Sequence, residues 1–317
     1  MDLKPIIPFE PINSNEIPTG DDFISQIKWD GVRILTYFDG TNTRLFNRKL
    51  NERTMQFPEL TNVQTFCHAS SVILDGEVIA LDKNGNNSFH EVMRRDSIRR
   101  IVRVKSAALI TPVYYMIFDV VYYNNEWVNN WLLKDRIELL NDIIRPNNNV
   151  QLVPKQKDGN TLFEVVKKHN MEGIIVKGLN SRYVINGKNS SWRKIKNYKD
   201  LIAVVGGVTF RLGTVNSLLL GLYDNNEQLW YVGNAGSGKL TSLDWENITK
   251  LVSDKITTES PFINIPKGAQ KTLWVKPNVT VKIKYIEWPE GHSIRQPTIE
   301  AFVDHPPSEC KLEQRNS

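Results

Sequence analysis

The stretch FISQIKWDGVR, residues 23–33, decides the organisation of the chain. An apolar strand ends at Lys28, and Asp30-Gly31 turns the chain back into a second apolar strand over residues 32–38. A lysine at such a position is carried by a rigid element and points into a cleft. Taken alone, however, the pattern is more typical of a surface lysine at a hairpin.

Four further segments place charged or aromatic side chains along apolar strands. They are LDGEVIAL (74–81) with Glu77, MIFDVVYY (116–123) with Phe118, MEGIIVKG (171–178) with Glu172 and Lys177, and SWRKIK (191–196) with Lys194 and Lys196. Lys194 and Lys196 are two residues apart, so on a strand they share one face with Trp192. Each segment is weakly informative alone, but the five segments in this order are specific.

In this order the segments resemble the covalent nucleotidyltransferase family of ATP-dependent DNA ligases, RNA ligases and mRNA capping enzymes. The pattern is most similar to the small bacterial and phage ATP-dependent DNA ligases, including the ligase module of bacterial end-joining proteins, over about residues 5–307. The resemblance implies an α+β fold. An adenylation (nucleotidyltransferase) domain with antiparallel sheets and flanking helices, residues 1–199, would precede a C-terminal OB-fold β-barrel, residues 200–317, with ATP, metal and nick in the cleft between them.

Periodicity and turns in the sequence are consistent with this organisation. Helical spacing appears at 88–109, 134–144 and 161–169, and 71–82 is interpreted as a strand pair. After residue 200 the chain changes to short strands with tight turns, such as IAVVGGVTF, SLLLGLYDNN and QLWYVGN, with one helix at 242–256. Such a pattern favours a small barrel of the OB type.

Composition excludes several classes of protein. The 317 residues suit two domains at roughly 150 residues each. Two distant cysteines make neither a disulfide framework nor a zinc site, and there is no signal peptide and no run of 18 apolar residues. The formal charge of +5 suits a polyanionic partner without proving one. We expect a cytoplasmic monomer, in the bacterial cytosol or nucleoid, with a phage-encoded origin left open.

The resemblance assigns the chemistry to Lys28. Its amine would attack the α-phosphorus of ATP, expel pyrophosphate and carry AMP as a phosphoramidate, with Lys194 and Lys196 as catalytic cations that neutralise the phosphate in the transition state. Glu77 and Glu172 would hold Mg²⁺ or Mn²⁺ through oxygen ligands.

The resemblance also implies an adenine slot. Phe118 would stack on the base with Ile175 opposite, and Arg33 and Arg48 would bind ribose or phosphates. Gln26 stands where many relatives carry a glutamate that accepts a hydrogen bond from the adenine amino group. The predicted nucleotide ligands are Gln26, Ile27, Lys28, Arg33, Arg48, Glu77, Phe118, Ile175, Lys177, Lys194 and Lys196.

Two basic stretches are candidates for DNA contact. RRDSIRRIVRVK (94–105) has six basic residues at helical spacing, and Arg95 and Arg99 are expected on one face, toward phosphates. Lys282 and Lys284 share one face of the strand TVKIKYIEW. A solvated face is the alternative for both. GNAGSGKL (233–240) lacks the hydroxyl residue of a P-loop and is interpreted as a loop, with Lys239 at most near DNA.

The predicted activity is the sealing of nicks in duplex DNA. AMP would pass from Lys28 to the 5′-phosphate of the nick, and the adjacent 3′-OH would then release it. Nicked duplex DNA is the expected partner, and a Ku-like end-binding protein is a candidate partner. The alternatives are an RNA ligase, a GTP-using capping enzyme and an inactive nucleic-acid-binding relative.

The final motif of the family is incomplete, which generates a prediction. Relatives have Arg-x-Pro followed by Arg-x-Asp-Lys-Pro, whereas this chain has Arg295 and Pro297 but Val303 and His305 near the second arginine and the lysine. Because this motif orients the departing pyrophosphate, we expect slow self-adenylation that depends on Arg295 or His305. Pyrophosphate release measures it, and a normal rate that is unchanged by Arg295→Ala would contradict the hypothesis.

Overall fold

Two units make up the chain in the computed structural model, Met1–Asn197 and Tyr198–Ser317. The structure describes residues 3–236, 238, 240–266, 268–289 and 291–316.

The first unit contains ten strands and four α-helices among its described residues. The strands are β1 (Glu10–Asn13), β2 (Phe23–Ile27), β3 (Val32–Phe38), β4 (Thr43–Asn47), β5 (Val72–Ala80), β6 (Val113–Tyr123), β7 (Glu126–Trp127), β8 (Val150–Leu152), β9 (Gly173–Gly178) and β10 (Lys188–Lys196). The helices are α1 (Phe89–Asp96), α2 (Ile101–Ile110), α3 (Leu133–Ile143) and α4 (Gly159–Lys168), with 3₁₀ turns at Pro58–Leu60 and Val63–Thr65.

These strands form two sheets. The first has the order β1-β10-β9-β2, and the second has the order β4-β3-β5-β6-β7, with β8 parallel to β6. Residues 71–82, which the sequence suggested were a strand pair, form the single strand β5, which pairs with β3 on one side and β6 on the other. The expected antiparallel pairing is present except at β1–β10 and β6–β8.

Apolar side chains cover both faces of the second sheet. On one face, residues such as Ile34, Leu74 and Ile117 form a core with the segment that follows β4 and with α3. On the other face, Leu35 and Val121 belong to a second core with Ile24 and Trp192 of the first sheet. Burial on both faces explains why β3 and β6 are nearly continuous apolar runs. The second core also holds the two sheets of this unit together.

Two glycines allow close backbone approach at the sequence motifs. A Cβ on Gly31 would lie 2.2 Å from the carbonyl oxygen of Val78. A Cβ on Gly173 would lie 2.2 Å from the carbonyl oxygen of Ile195, and Gly173 has a φ of +154°. Glycine at both positions therefore keeps Lys28 and Glu172 beside their neighbouring strands.

The predicted helix over 88–109 is two helices. α1 begins with Ser88, whose Oγ accepts a hydrogen bond from the backbone N–H of Glu91, and it ends at Asp96. The chain then leaves helical geometry until α2 begins at Ile101. Tertiary contacts fix the break, because Arg53 donates to Asp96 at 2.6 Å and Gln56 Nε2 donates to the carbonyl oxygen of Ile98 at 2.8 Å. No Gly or Pro marks this break in the sequence.

The second unit contains six strands and one α-helix among its described residues. They are β11 (Lys199–Arg211), β12 (Thr214–Tyr223), β13 (Leu229–Ala235), α5 (Ser242–Ser253), β14 (Ile256–Thr257), β15 (Leu273–Tyr285) and β16 (Thr298–Val303), with 3₁₀ turns at Ala269–Lys271, Pro307–Glu309 and Leu312–Asn316. The sheet order is β13-β12-β11-β15-β14, and β16 also pairs with β15. A bridge between Gly238 and Ile299 connects the segment after β13 to β16.

Alternation along β15 follows the sequence expectation. Val281, Ile283 and Tyr285 are buried, whereas Lys282 is exposed and Lys284 is partly exposed.

Both cysteines, Cys67 and Cys310, are free and buried. In the described part of the chain, no helix has the length and apolar character that crossing a membrane requires.

A fully buried ion pair joins β6 to α3. Arg136 donates through Nε and Nη2 to the carboxylate of Asp119 at 2.7 and 3.0 Å, and both side chains have no exposed surface. Its Nη1 also donates to the carbonyl oxygens of Trp131 and Ser181. Breaking such a pair leaves an uncompensated charge inside the protein.

We therefore predict that Arg136→Met lowers the free energy of unfolding by about 3–5 kcal/mol, because the Asp119 carboxylate stays buried without its partner. Urea denaturation measures the change. Lys157→Met is the control, since the Lys157–Asp21 pair is almost fully exposed and such pairs contribute little. Equal effects of the two substitutions would contradict the prediction.

Candidate active site

One face of the first sheet gathers the side chains that the sequence singled out. Gln26 of β2 pairs with Ile175 of β9, and Ile175 pairs with Lys194 of β10, so these three lie side by side on one face. Two residues along, Lys196 pairs with Gly173, whose carbonyl oxygen accepts a hydrogen bond from the backbone N–H of Lys28 at 2.9 Å. The strands β2, β9 and β10 thus bring Gln26, Lys194 and Lys196 to one face of the first sheet, beside Lys28.

Ile27 lies on the opposite face. It pairs with Ile174, which pairs with Ile195, and it packs against the core that these residues form with Leu162 and Val166 of α4. Neighbouring residues of a strand face opposite sides of the sheet, so the Ile27 side chain points away from Gln26. The prediction that this side chain binds the nucleotide is therefore wrong. Only its backbone remains available.

Lys28 is held by an acidic partner. Its Nζ donates to Glu172 Oε2 at 2.5 Å, and the Glu172 side chain is only 4% exposed. The Lys28 side chain is 23% exposed, so the amine remains accessible. A carboxylate at hydrogen-bond distance both orients the amine and can accept its proton.

Two further ammonium groups lie next to this pair. Lys196 Nζ is 3.9 Å from Glu172 Oε1. Burial, followed by the charges of Lys196 and Lys28, lowers the pKa of Lys194. Lys28 and Lys196 beside the Glu172 carboxylate, with Lys194 close enough to interact with both, create a positive surface that would stabilise a bound phosphate.

Glu77 on β5 is the second carboxylate of the site. Burial, assisted by the charges of Glu172 and Asp30, raises the pKa of Glu77 to about 8 despite the opposite effects of Lys28 and Arg33. The negative charges of Glu77 and Glu172 repel each other, and a bound cation would reduce this repulsion. Asp30 is thus close enough to interact electrostatically with Glu77.

The described residues contain no group of three or more His, Cys, Asp or Glu side chains able to hold a metal ion. Glu77 and Glu172 alone fit the manner in which Mg²⁺ binds beside phosphates, with one or two carboxylates and the remaining oxygens from water and substrate. They do not fit a site built entirely from protein ligands.

The aromatic wall of the predicted base slot is Phe118. Lys177 Nζ lies 4.5 Å from the centroid of the Phe118 ring and 4.0 Å from that of Trp192, and it donates to the carbonyl oxygen of Phe118 at 3.3 Å. Burial lowers the pKa of Lys177 to about 7. Lys177 therefore supports the aromatic wall directly, in addition to its place on the sheet face of Ile175.

Gln26 is buried with one polar atom unsatisfied. Its Nε2 donates to the carbonyl oxygen of Val153 at 3.1 Å, which fixes the amide orientation. Its Oε1 is buried and has no hydrogen-bond partner in the structure. A buried acceptor without a donor is costly, and an exocyclic amino group of a base would satisfy it.

Arg33 is held by residues that the sequence analysis did not identify. Its Nε and Nη2 donate to Asp75 at 2.9 and 2.6 Å, and Tyr183 OH donates to the same carboxylate at 2.6 Å. The guanidinium also lies 5.4 Å from the Phe118 ring centroid. Asp75 adjoins Gly76 and Glu77 in LDGE and so had a sequence signal, whereas Tyr183 lies in a loop without one.

Arg48 lies at the edge of this group. Its side chain is 59% exposed and pairs with Glu10 at 3.5 Å. Glu10 also acts electrostatically on Lys194. The structure thus places Arg48 near the cationic face but in no contact with Lys28.

The prediction that Arg95 contacts DNA is wrong. Arg95 is 1% exposed, forms two hydrogen bonds with Glu59 and donates to the carbonyl oxygens of Gln56 and Thr111. The expected single helical face does not exist because the helix breaks after Asp96. Arg99, by contrast, is exposed.

The other predicted DNA contacts lie in the second unit. Lys282 and Lys284 approach Asp200 and Glu300 at 3.8 and 3.5 Å, so carboxylates partly neutralise both. Lys239 lies outside the described residues. Arg295 is paired with Glu287 at 2.7 Å, and His305 Nε2 lies 3.7 Å from Glu309. DNA contact by Lys282 and Lys284 stays a prediction, and so does the role of Arg295 or His305 in self-adenylation.

Comparisons with known protein families give two matches. The model of the "ATP dependent DNA ligase domain" matches residues 11–196, and that of the "ATP dependent DNA ligase C terminal region" matches residues 211–303. These two matches fall on the two units of the structure and cover most of the chain.

Individual proteins show the same similarity. The chain is 30% identical over 298 residues to the multifunctional non-homologous end joining DNA repair protein LigD of Mycobacterium tuberculosis, covering 90% of this chain but 37% of LigD. It is 33% identical over 202 residues to the SPbeta prophage-derived DNA ligase-like protein LigB of Bacillus subtilis, covering 63% of this chain and 68% of LigB. The chain thus spans just over a third of the length of the LigD protein that it matches.

Solved structures resemble the whole chain. The crystal structure of the ligase domain from M. tuberculosis LigD gives a TM-score of 0.54 at 25% identity and covers 98% of this chain and 99% of that domain. A Lig E DNA ligase gives a TM-score of 0.61 at 16% identity, which speaks for the fold alone. The predicted α+β class, an adenylation domain followed by an OB-fold region, is confirmed.

The orientation of Gln26 generates a prediction about the base. Gln26→Leu removes the unpartnered acceptor, so the apparent KM for ATP in self-adenylation should rise about tenfold, the equivalent of one hydrogen bond, and discrimination against GTP should fall. Gln151→Leu is the control, since Gln151 is exposed and donates only to Asn147. An unchanged preference for ATP in Gln26→Leu would contradict the prediction.

Proposed function

We propose, since this chain belongs to the ATP-dependent DNA ligase family, that it seals nicks in duplex DNA through a lysyl-AMP intermediate on Lys28. The observation that carries the proposal is the hydrogen bond of the Lys28 amine to Glu172, on a sheet face that also holds Gln26, Lys194 and Lys196. One amine, one proton acceptor and two further cations are what the transfer of a phosphoryl group to nitrogen requires.

In the first step Lys28 Nζ loses a proton to Glu172 Oε2 and attacks the α-phosphorus of ATP. A P–N bond forms, the bond from the α-phosphorus to the bridging oxygen breaks, and pyrophosphate leaves with the bonding electrons. Lys194 and Lys196 compensate the charge that gathers on the phosphate oxygens. Phe118, Ile175 and the Oε1 of Gln26 hold the adenine so that phosphorus faces nitrogen.

The second and third steps use the same phosphate surface. A 5′-phosphate oxygen of the nick attacks the adenylyl phosphorus, and the P–N bond breaks while Glu172 returns its proton to the nitrogen of Lys28. The 3′-OH then attacks the 5′-phosphorus and gives its proton to water. The bond from this phosphorus to the oxygen that bridges it to AMP breaks, and AMP leaves with the bonding electrons as the phosphodiester forms. Lys28, Lys194 and Lys196 remain beside the reacting phosphates in both steps.

Glu77 and Glu172 would hold Mg²⁺ or Mn²⁺, which when bound neutralises phosphate charge. Glu172 would alternate between Lys28 and the metal, because its two oxygens already face Lys28 and Lys196.

Nicked duplex DNA is the proposed substrate, and the mildly basic charge supports it. A Ku-like end-binding partner is proposed because the LigD relatives are named as non-homologous end joining proteins. We propose further that the protein acts as a monomer in the bacterial cytosol.

The test is covalent labelling. After incubation with ATP and MgCl₂, mass spectrometry should find one adenylyl group on Lys28, because its amine donates a hydrogen bond to Glu172, the proposed proton acceptor. Lys28→Ala should carry no adduct and seal no nicks, whereas the control Lys83→Ala, a change at an exposed lysine, should behave as the unaltered protein.

Substrate comparison completes the test. Sealing should be faster on a nick in duplex DNA than in duplex RNA, and with ATP than with GTP or NAD. A folded protein without an adduct at Lys28 would overturn the ligase proposal in favour of a binding protein, and faster sealing of RNA would overturn the choice of substrate.

A further inference from the structure

The turn between α1 and α2 opens onto a basic cleft. It is lined by Arg94, Ser97, Ile98, Arg99, Arg100 and Arg103 and has a volume of about 500 Å³. We call it the arginine cleft. It belongs to the first unit and shares no residue with the site around Lys28.

Among the residues that the structure describes, three guanidinium groups of the arginine cleft have no acidic partner. The nearby carboxylates are engaged elsewhere, since Asp96 binds Arg53 and Glu91 binds Arg94. Arg99 donates only to the backbone carbonyl of Asp96, at 3.0 Å. Arg100 and Arg103 have no ion pair in the described parts of the chain, and all three arginines are exposed.

The floor of the arginine cleft is rigid. Arg95, adjacent to Arg94, points inward and is bound by Glu59 and by the carbonyl oxygens of Gln56 and Thr111. Asp96 is fixed by Arg53, and the carbonyl oxygen of Ile98 accepts from Gln56. The segment that leads into Arg99 and Arg100 is thus held at Asp96 and Ile98 before any ligand binds, which reduces the entropy cost of binding.

This arrangement is unfavourable without an anion. Like charges three or four residues apart repel each other, and here no carboxylate of the described residues compensates Arg100 and Arg103. Guanidinium groups match phosphate oxygens in two-point hydrogen bonds. Several guanidinium groups that line one cleft suit successive phosphates of a strand better than one small anion.

We propose that the arginine cleft binds the phosphodiester backbone of the DNA substrate. The inference rests on the proposed function, because it takes duplex DNA as the ligand. It keeps Arg99 as a DNA contact of the 94–105 segment, excludes Arg95, which supports the turn, and adds Arg100 and Arg103. These contacts neutralise phosphates without regard to base sequence, so they contribute affinity and salt dependence.

The experiment compares two triple variants of the full chain. Arg99, Arg100 and Arg103→Gln removes three charges from the cleft, and Lys134, Arg145 and Lys168→Gln removes three exposed charges from α3, its C-terminal side and α4. Binding of a fluorescently labelled nicked duplex is measured by anisotropy at several salt concentrations. Self-adenylation with ATP, which needs no DNA, checks that each variant is folded.

The cleft variant should bind the nick at least about tenfold more weakly, and the slope of log K against log salt should decrease in magnitude by about 2–3, or about 0.9 per phosphate contact. The control variant should keep most of the affinity. Equal slopes in the two variants, with both still adenylated, would overturn the cleft proposal while leaving the ligase proposal intact.

A second measurement separates DNA from a free anion. Inorganic phosphate at millimolar concentration is titrated against the protein while thermal stability is recorded. Stabilisation by phosphate that disappears in the cleft variant, together with an unchanged DNA salt slope, would identify a small-anion site and overturn the proposal. A smaller salt slope in the cleft variant, with no stabilisation of the unaltered protein by phosphate, supports the proposal.

Discussion

The pairing of β2 with β9, and of β9 with β10, is the constraint on which the candidate site depends. This register places Gln26, Ile175 and Lys194 in one row and brings Lys28 and Lys196 beside Gly173. A shift by one residue would turn all of these side chains into the core that Ile27 and Ile174 now occupy. The apolar core on the α4 side therefore selects the only register in which the amine of Lys28 meets the carboxylate of Glu172.

Beneath the base slot lies a layer of buried charge. Arg33 and Tyr183 share the carboxylate of Asp75, while Arg136 is paired with Asp119. Lys177 interacts electrostatically with both carboxylates and lies under the ring of Phe118. The charged groups of this layer compensate one another, so they hold their positions although they are buried. The position of the Phe118 ring therefore depends on these charge pairs as well as on packing.

Much of the architecture was predictable because its signals are local. Alternation and apolar runs located β3, β6 and β9, and the order of short motifs around Lys28, Glu77 and Glu172 indicated the family. The sequence did not predict the features that depend on contacts between residues far apart in the chain. The break after Asp96 depends on Arg53 and Gln56, and the inward turn of Arg95 depends on Glu59, none of which has a periodic signal. The hydrogen bond from Tyr183, in a loop, to Asp75 could not be predicted for the same reason.

The carbonyl oxygen that orients Gln26 belongs to Val153, immediately after β8, and β8 is an edge strand of the second sheet. Gln26 itself stands on the first sheet. The hydrogen bond that orients Gln26 therefore joins a donor on the first sheet to an acceptor next to the second sheet, and the proposed recognition of the nucleobase depends on both sheets. Any substitution that lets these layers slide, even deep in the hydrophobic interior, would loosen the fidelity of cofactor selection before it disturbs Lys28 and Glu172, whose partnership lies within a single layer.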